Sequence, residues 1–439
     1  MNSSPRHRAQ LPEQTDVVVI GGGIAGIMSA YFLARAGRRV VLCEKGRIAG
    51  EQSGRNWGWI RQQGRDPAEL PIMMEALRLW HGLAKELGPE LGFKTCGVTY
   101  LANTPEKMEG NARWVSLAQQ FGLDSQLLTS AQVQAMAPNS AGWLGGVTTP
   151  SDARAEPFLA VPMLSDLAVA AGVVIRERCA VRTLERRNGA VCGVVTEAGT
   201  IDCEQVLLTG GAWSSLFARN EGVIFPQLAV RASVARTQAL PLLGETSGAD
   251  REFAFRRRAD GGYTLAPGTQ HDFWVGPDAF RHFTAFLPQL LRDFSQTSLQ
   301  PMAPAGFPDA WRTPRSWTGE DATPFEAMRV LDPKPNALLL DKTRSAFSRA
   351  FPHLGPIRLQ DSWAGMIDVM PDTVPVLDET SVPGFWVATG LSGHGFGIGP
   401  GIGRVMADLM LGRPAGHDLS RFRLSRFTDS SKIDLGPKF

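Results

Sequence analysis

Four groups of residues in the chain have types and spacings that could do chemistry. Gly21, Gly23 and Gly26 stand in GGGIAG, directly after the β-branched run DVVVI (16–20) and before an Ala-rich stretch that reads as a helix ending near Gly37. In a strand, turn and helix context this spacing suits a dinucleotide: Gly21 for the tight turn, Gly23 for close approach of a pyrophosphate to the backbone, Gly26 for packing of the helix. Glu44 follows 21 residues after Gly23, at the end of a second apolar strand, RRVVLCEK. A carboxylate there accepts hydrogen bonds from an adenosine ribose and repels a 2′-phosphate, which favours FAD or NAD over NADP. The polar run GRIAGEQSGRNWGWIRQQGRD then carries Ser53, Arg55, Asn56, Arg61 and Arg65, and GLSGHGFG sets His394 between a strand and a closing helix that ends by Gly412. An arginine in such a loop can clamp a carboxylate through bidentate, charge-assisted hydrogen bonds.

The rest of the chain must position these groups. With 439 residues, 43% hydrophobic content, 47 Gly and 30 Pro, it suits about two or three domains with a substantial core. A formal net charge of +2 is too small for a general nucleic-acid binder. Cys43, Cys96, Cys179, Cys192 and Cys203 form no CxxC pair and no zinc-site spacing, so ordinary thiols in a reduced compartment and no metal are expected. Residues 17–34 carry no charge, but their three consecutive glycines mark a turn rather than a membrane span. Glu13 and Asp16 separate Arg6 and Arg8 from that run, against a signal peptide. A cytoplasmic protein without a membrane span is expected, with peripheral membrane contact left open.

A helix from Pro71 should bury a stripe of Met73, Leu77, Trp80, Ala84 and Leu87 and leave His81 in solvent. Residues 173–209 read as a small meander: VVIRE, a hairpin at Arg187, Asn188 and Gly189, AVCGVVTE, and a buried QVLLT strand. Residues 226–354 alternate in LAVRASVA, and FAFRRR turns at Asp260, Gly261 and Gly262 into YTLAP, which predicts an antiparallel sheet.

The first motif and VPGFWVATGLSGHGFGIGPGIGRVMADLML together resemble the D-amino-acid oxidase superfamily of FAD enzymes, which includes glycine and sarcosine oxidases and D-amino-acid and opine dehydrogenases. Three landmarks lie between them in the family's order: EPFLAVPMLSDLAVAAGVVI, QVLLTGGAWSS and WAGMIDVMPDTVPVLD. A disulfide reductase would need a second GxGxxG and a cysteine pair, and an aromatic hydroxylase a GD-type second motif; neither is present.

The resemblance implies an α/β chain in which a Rossmann-like FAD-binding domain (13–95, 152–225, 355–420) is interleaved with an α+β substrate domain on an antiparallel sheet (96–151, 226–354). It implies that the turn of Gly21, Gly23, Ile24, Ala25 and Gly26, with Glu44 and Lys45, holds the nucleotide. Ser53, Arg55, Asn56, Trp57 and Gly58 would cross the isoalloxazine. Val181, Gly210, Gly211, Trp213 and Gly365 would complete the cofactor wall. Gly393, His394, Gly395, Phe396 and Gly397 would face the flavin N1 and C2 carbonyl side, where negative charge accumulates on reduction.

For function the resemblance implies oxidation of the C–N bond of an amino acid or N-substituted amino acid by hydride transfer to flavin N5, the imine then hydrolysing. Arg61 is the favoured carboxylate clamp, ahead of Arg65 and of Arg256, Arg257 and Arg258, and His394 is the other polar candidate. Where sarcosine oxidases carry a lysine after the GHGF stretch, this chain has Gly397. A roomier pocket and a bulkier substrate follow as an expectation, with Trp57, Trp59, Tyr263 and Trp363 as an aromatic wall. No cysteine lies near Gly365, where that family attaches its flavin, so FAD should be noncovalent. No lysine stands between Lys107 and Lys334 to activate oxygen, so oxygen and a quinone or electron-transfer acceptor remain equal candidates, with His271 as a lesser source of positive charge. A flavin-bearing subunit of a hetero-oligomeric opine or amine dehydrogenase, and a polyamine-type amine oxidase, are the alternatives.

Overall fold

The structure is a computed structural model and describes residues 5–436 apart from 141, 294 and 295. Val17–Ile20 (β1) pairs in parallel with Val40–Glu44 (β2) on one side and with Gln205–Leu208 on the other. Val174–Glu177 extends this sheet beyond β2, and Phe385–Thr389 followed by Val376–Glu379 extends it beyond Gln205–Leu208, giving six strands. All the pairings are parallel except the last, which is antiparallel. VVIRE and QVLLT are therefore not part of the meander: the first is the edge strand of the parallel sheet and the second its strand beside β1, and the meander is a separate three-stranded sheet of Val181–Arg187, Ala190–Thr196 and Gly199–Asp202. The first hairpin turns at Asn188 (φ 53°) and Gly189 (φ 83°), the double positive-φ geometry that matches the twist of a two-residue hairpin.

Helix α1 (Ile24–Arg35) leaves β1 through the glycine turn, with Gly21 at φ +110°. A Cβ on Gly26 would collide with the Gly21 carbonyl and crowd Thr209 Oγ1, so only glycine lets the helix return so close to its strand. Helix α2 (Leu70–Leu87) buries Met73, Leu77 and Trp80, with Ala84 and Leu87 packed at the margin of the same core. Helix α3 (Gly395–Met410) lies across both. Its Gly403 is backed by Met28 of α1 and its Gly401 by the carbonyl and side chain of Ile72 of α2, contacts with no space for a side chain.

A larger, mostly antiparallel sheet contains Val98–Ala102, Gly145–Thr149, Leu228–Thr237, Phe253–Arg257 and Tyr263–Pro267 among its ten strands. Leu359–Val369 pairs with Leu228–Thr237 along the full length of the latter, so the chain segment leading into the GHGF loop is anchored on this sheet. Strand alternation sorts its side chains. Phe253 and Phe255 pack with Tyr263, Phe347 and Phe351 beneath the helix Ala337–Ala350. Ala254 and Arg256 point the other way, toward the segment of Trp57 and Trp59.

Candidate active site

One cavity of about 1050 Å³ runs from the C-terminal ends of β1 and β2 to the inner face of the large sheet, just above the range of roughly 300 to 1,000 Å³ usual for small-molecule sites. At the nucleotide end its wall includes Gly21, Gly23, Ile24, Ala25, Glu44 and Lys45; Ser53, Arg55, Asn56 and Trp57 continue it. Val181, Gly210, Gly211 and Trp213 close one side, and Gly365 with Gly393, His394, Gly395 and Phe396 the other.

The residues here fit an FAD. Gly23 caps α1 without any side chain of its own, and a Cβ placed there would enter the cavity and meet only Ser53 Oγ, at 3.2 Å. The first turn of α1 thus presents backbone and the positive end of its dipole to the cavity, an arrangement that suits a pyrophosphate. Ser53 Oγ accepts from the Ile24 amide at 3.0 Å. The Glu44 carboxylate accepts from the amides of Gly22 and Gly46, both at 2.7 Å, and still has lone pairs for a ribose. Burial pushes its pKa up, against the pull of Lys45 and of these two amides. Lys45 Nζ donates to Glu51 at 2.7 Å and lies 4.4 Å from the centre of the Trp213 ring, so it ties the loop after β2 to the opposite wall. Arg55 is committed to protein partners, donating to the Gly50 and Ala364 carbonyls and to Asp332.

Three of the glycines assigned to the cofactor stand behind the wall. Gly26 serves the helix packing expected of it. Gly58, at φ +85°, donates its amide to Asn56 Oδ1 at 2.7 Å and faces the Ala155 carbonyl. Gly397 corrects an expectation, because it opens no room. Its missing side chain would lie 3.2 Å from Ile60 Cα and 3.4 Å from an Arg65 nitrogen, so glycine here permits close packing, and a cation stands beside it.

The far end of the cavity is built from side chains. Arg61 and Arg65 line it with Trp57, Trp59 and Tyr100. Arg61 donates to the Gln63 carbonyl, and its guanidinium carbon lies 5.8 Å from the Tyr100 ring centre. Its loop is pinned by Asp152, whose buried carboxylate accepts from the amides of Gln62 (2.6 Å) and Gln63 (3.2 Å). Burial outweighs those hydrogen bonds and raises the Asp152 pKa to about 7.

Arg65 is only 1% exposed. It lies 3.5 Å from Glu69 Oε2 and donates to the His394 carbonyl at 3.1 Å and to the Arg61 carbonyl at 3.1 Å. Burial pushes its guanidinium down to about 10, which still leaves it charged at neutral pH. Glu69 Oε2 also meets His394 Nδ1 at 3.1 Å. For Glu69 the burial penalty is outweighed by His394 and Arg65, and its pKa falls; for His394 burial prevails over Glu69, and its pKa falls too.

Two of the aromatic wall residues expected from the sequence do not reach this cavity. Tyr263 is fully buried on the opposite face of the sheet, its hydroxyl between Leu243 N and the Pro241 carbonyl. Trp363 donates its indole N–H to the Arg55 carbonyl at 2.9 Å and packs on Phe158, so it braces the loop from behind. Arg256 is not a free clamp either: it forms a buried bidentate pair with Glu156 (2.8 and 3.0 Å) and donates to the Trp57 carbonyl. Arg257 and Arg258 turn to Leu240 and Asp260. His271 does line the cavity, but burial lowers its pKa and keeps it neutral. Tyr100, Glu69 and Asp152 went unremarked in the sequence. Tyr100 lies in the β-branched, alternating strand Val98–Ala102, a pattern visible in the sequence, whereas no spacing signal connects Glu69 with His394.

A glycine-turn nucleotide site on a parallel sheet, joined in one cavity to a side-chain site under a second sheet, defines a dinucleotide-dependent redox enzyme. The model of the DAO family, FAD dependent oxidoreductase, matches residues 16–409, and the chain belongs to that family. It is 25% identical over 425 residues to 4-methylaminobutanoate oxidase (formaldehyde-forming) of Paenarthrobacter nicotinovorans, an alignment that takes 95% of this chain and 46% of that protein. With sarcosine oxidase subunit beta of Rhodobacter capsulatus it shares 25% identity over 436 residues, 95% of this chain and 90% of the relative. The chain thus spans about half the length of the first relative and nearly all of the second. The solved structure of L-amino acid deaminase from Proteus myxofaciens in complex with anthranilate superposes with a TM-score of 0.89 at 28% identity, covering 98% of both chains. Among the described residues no helix is long and apolar enough to cross a membrane, and no group of side chains is arranged to hold a metal ion.

Proposed function

We propose that the protein oxidises the C–N bond of an α-amino acid or N-substituted amino acid, with a noncovalently held FAD, in the cytoplasm. The observation that carries this reading is Arg61 on the cavity wall beside Trp57, Trp59 and Tyr100, at the end of the cavity away from the glycine turn. A guanidinium fixes the substrate carboxylate, and the aromatic rings exclude water around the carbon to be oxidised. When bound, the flavin supplies the two-electron acceptor, and an imine left behind hydrolyses in water. The chain's own contribution is orientation: Asp152 holds the Arg61 loop, and the Arg256–Glu156 pair holds the Trp57 carbonyl. That the named relatives include an oxidase of an N-methylated amino acid and a deaminase of L-amino acids supports the same class of substrate.

The test is anaerobic bleaching of the purified flavoprotein at about 450 nm by amino acids of both configurations, N-methyl amino acids, cyclic imino acids and polyamines, followed by admission of air. Bleaching by carboxylated amines supports the reading, and the rate of recovery in air separates oxygen from another acceptor. Bleaching by polyamines alone refutes it.

One observation favours a second reading, in which electrons leave to a partner subunit or surface. Phe280, Phe283, Leu291, Met302 and Trp311 are all more than half exposed. They lie in one stretch of the chain, and Phe280 and Trp311 are in ring contact. Exposed apolar groupings of this kind mark interaction surfaces.

A further inference from the structure

The buried carboxylate of Glu69 has no role in holding a cofactor or clamping a carboxylate, yet it is wholly enclosed and one of its oxygens, Oε1, meets no partner among the described residues. Its other oxygen is aimed at His394 Nδ1, 3.1 Å away. His394 is a cavity residue with its side chain 22% exposed, and its Nε2 meets no hydrogen-bond partner among the described residues. Resting on the amino-acid reading above, we infer that His394 Nε2 is the acceptor of the substrate's ammonium proton and that Glu69 is the positioning residue that keeps it available.

The argument begins with the charge states. An ionised Glu69 can only accept, so the neutral imidazole beside it must carry its proton on Nδ1 and donate it to Oε2. That choice of tautomer leaves a bare lone pair on Nε2, the ring nitrogen of this cavity residue that no described group engages. The charged groups around the ring are Glu69 from the start of α2 and Arg65 and Arg61 from the preceding loop. Arg65 is paired with Glu69 and bonded to the His394 carbonyl, so it fixes both members of the pair. Arg61, the carboxylate clamp, is close enough to act on His394 electrostatically. A zwitterionic amino acid with its carboxylate on Arg61 therefore has its ammonium group at the same end of the cavity as Nε2.

An ammonium group has no lone pair to assist oxidation of its own carbon, so a proton must leave before the C–H bond breaks. One N–H bond of the ammonium breaks, its electron pair stays on the amine nitrogen, and the proton bonds to Nε2. The imidazolium formed is then paired with Glu69, which offsets part of the cost of its burial in the way a buried carboxylate supports a catalytic histidine.

The test uses the FAD-loaded enzyme with two variants, Glu69→Gln and His394→Asn. In the wild type, 15N chemical shifts of labelled histidine should show His394 protonated at Nδ1 and bare at Nε2, a readout independent of turnover. The rate of anaerobic bleaching by an amino acid should fall by about 10²-fold in each variant at neutral pH, the scale of general base catalysis. In both variants the rate should climb with pH toward the wild-type value as the free substrate loses its own proton in solution. A wild type found as the Nε2–H tautomer overturns the inference. So do variants that bleach more slowly by the same factor at every pH, since that is the signature of structural damage. If no carboxylated amine bleaches the wild type, the substrate reading itself fails and this inference falls with it, an outcome distinct from the other two.

Discussion

The two ends of the cavity are built by different means. The nucleotide end is mostly backbone: a glycine turn, the first turn of α1 and a carboxylate at the end of β2 that binds two amides. The substrate end is mostly side chain: Arg61, Arg65, Glu69 and His394, drawn from a loop, the start of α2 and the cap of α3, and buttressed by Asp152 from a turn and Arg256 from a strand of the large sheet. A backbone site tolerates change in everything except the residues that allow close approach. A side-chain site depends on every partner in a shared network. Substitutions at the two ends should therefore fail in different ways: loss of cofactor at the first, loss of reduction with cofactor retained at the second.

The largest effect belongs to the backbone end. Gly26→Val should abolish FAD retention and most of the folded yield, because its side chain would strike the Gly21 carbonyl; the ratio of flavin to protein absorbance after gel filtration reads it. Glu44→Ala should be milder, leaving a folded protein that has lost an acceptor for two amides and for the ribose. At about 1.5 to 3 kcal/mol for a charge-assisted contact, flavin affinity should fall roughly 10- to 150-fold, measured by titrating the apoprotein with FAD. A Glu44 variant that keeps full flavin affinity would break the comparison from this side.

At the substrate end, Arg61→Ala should keep the yellow colour and weaken binding of a carboxylated amine by a similar factor of about 10 to 150, seen as a shift in the concentration dependence of bleaching. The smallest effect is on stability. Asp152 has its folded pKa raised to about 7 from an ordinary 3.8. Its stabilising contribution is thus complete below the unfolded value and is lost as pH rises through about 7. Asp152→Asn should flatten the fall in Tm of the wild type between pH 5 and pH 8, by roughly the few degrees that 1 kcal/mol moves a large chain. An unchanged slope would remove Asp152 as the group that titrates.

The same contrast explains what could be read in advance. The strand, glycine turn and helix of the first motif and the FAFRRR alternation of the second sheet follow from local periodicity, and α2 begins within one residue of its expected start. Strand alternation also separates Arg256 from Arg257, though only the structure shows that the inward one is spent on Glu156. VVIRE and QVLLT depart from the expected meander because an apolar run fits a meander strand and a parallel strand equally, and pairing partner is not a local property. Tyr263 stands on the face of its strand turned away from the cavity, a distinction that one residue of register decides, whereas Trp363 shares a face with Gly365 and Ile367 but is spent on the Arg55 carbonyl behind the wall. The pairing of Glu69 with His394 spans 325 positions and rests on how α2 and α3 cross, which no spacing encodes. Gly397 misled for a further reason: a missing side chain means space only where nothing else has moved in, and here the backbone of Trp59 and Ile60 has.

The central claim is that this cavity binds an amino acid by its carboxylate through Arg61. It is tested most directly by anaerobic bleaching of wild type and Arg61→Ala with one efficient α-amino acid and with the amine that lacks only its carboxylate. The account predicts that the wild type strongly prefers the amino acid and that the variant, still fully flavin-loaded, loses that preference. A wild type that bleaches equally with both, or a variant that keeps the preference intact, would contradict it.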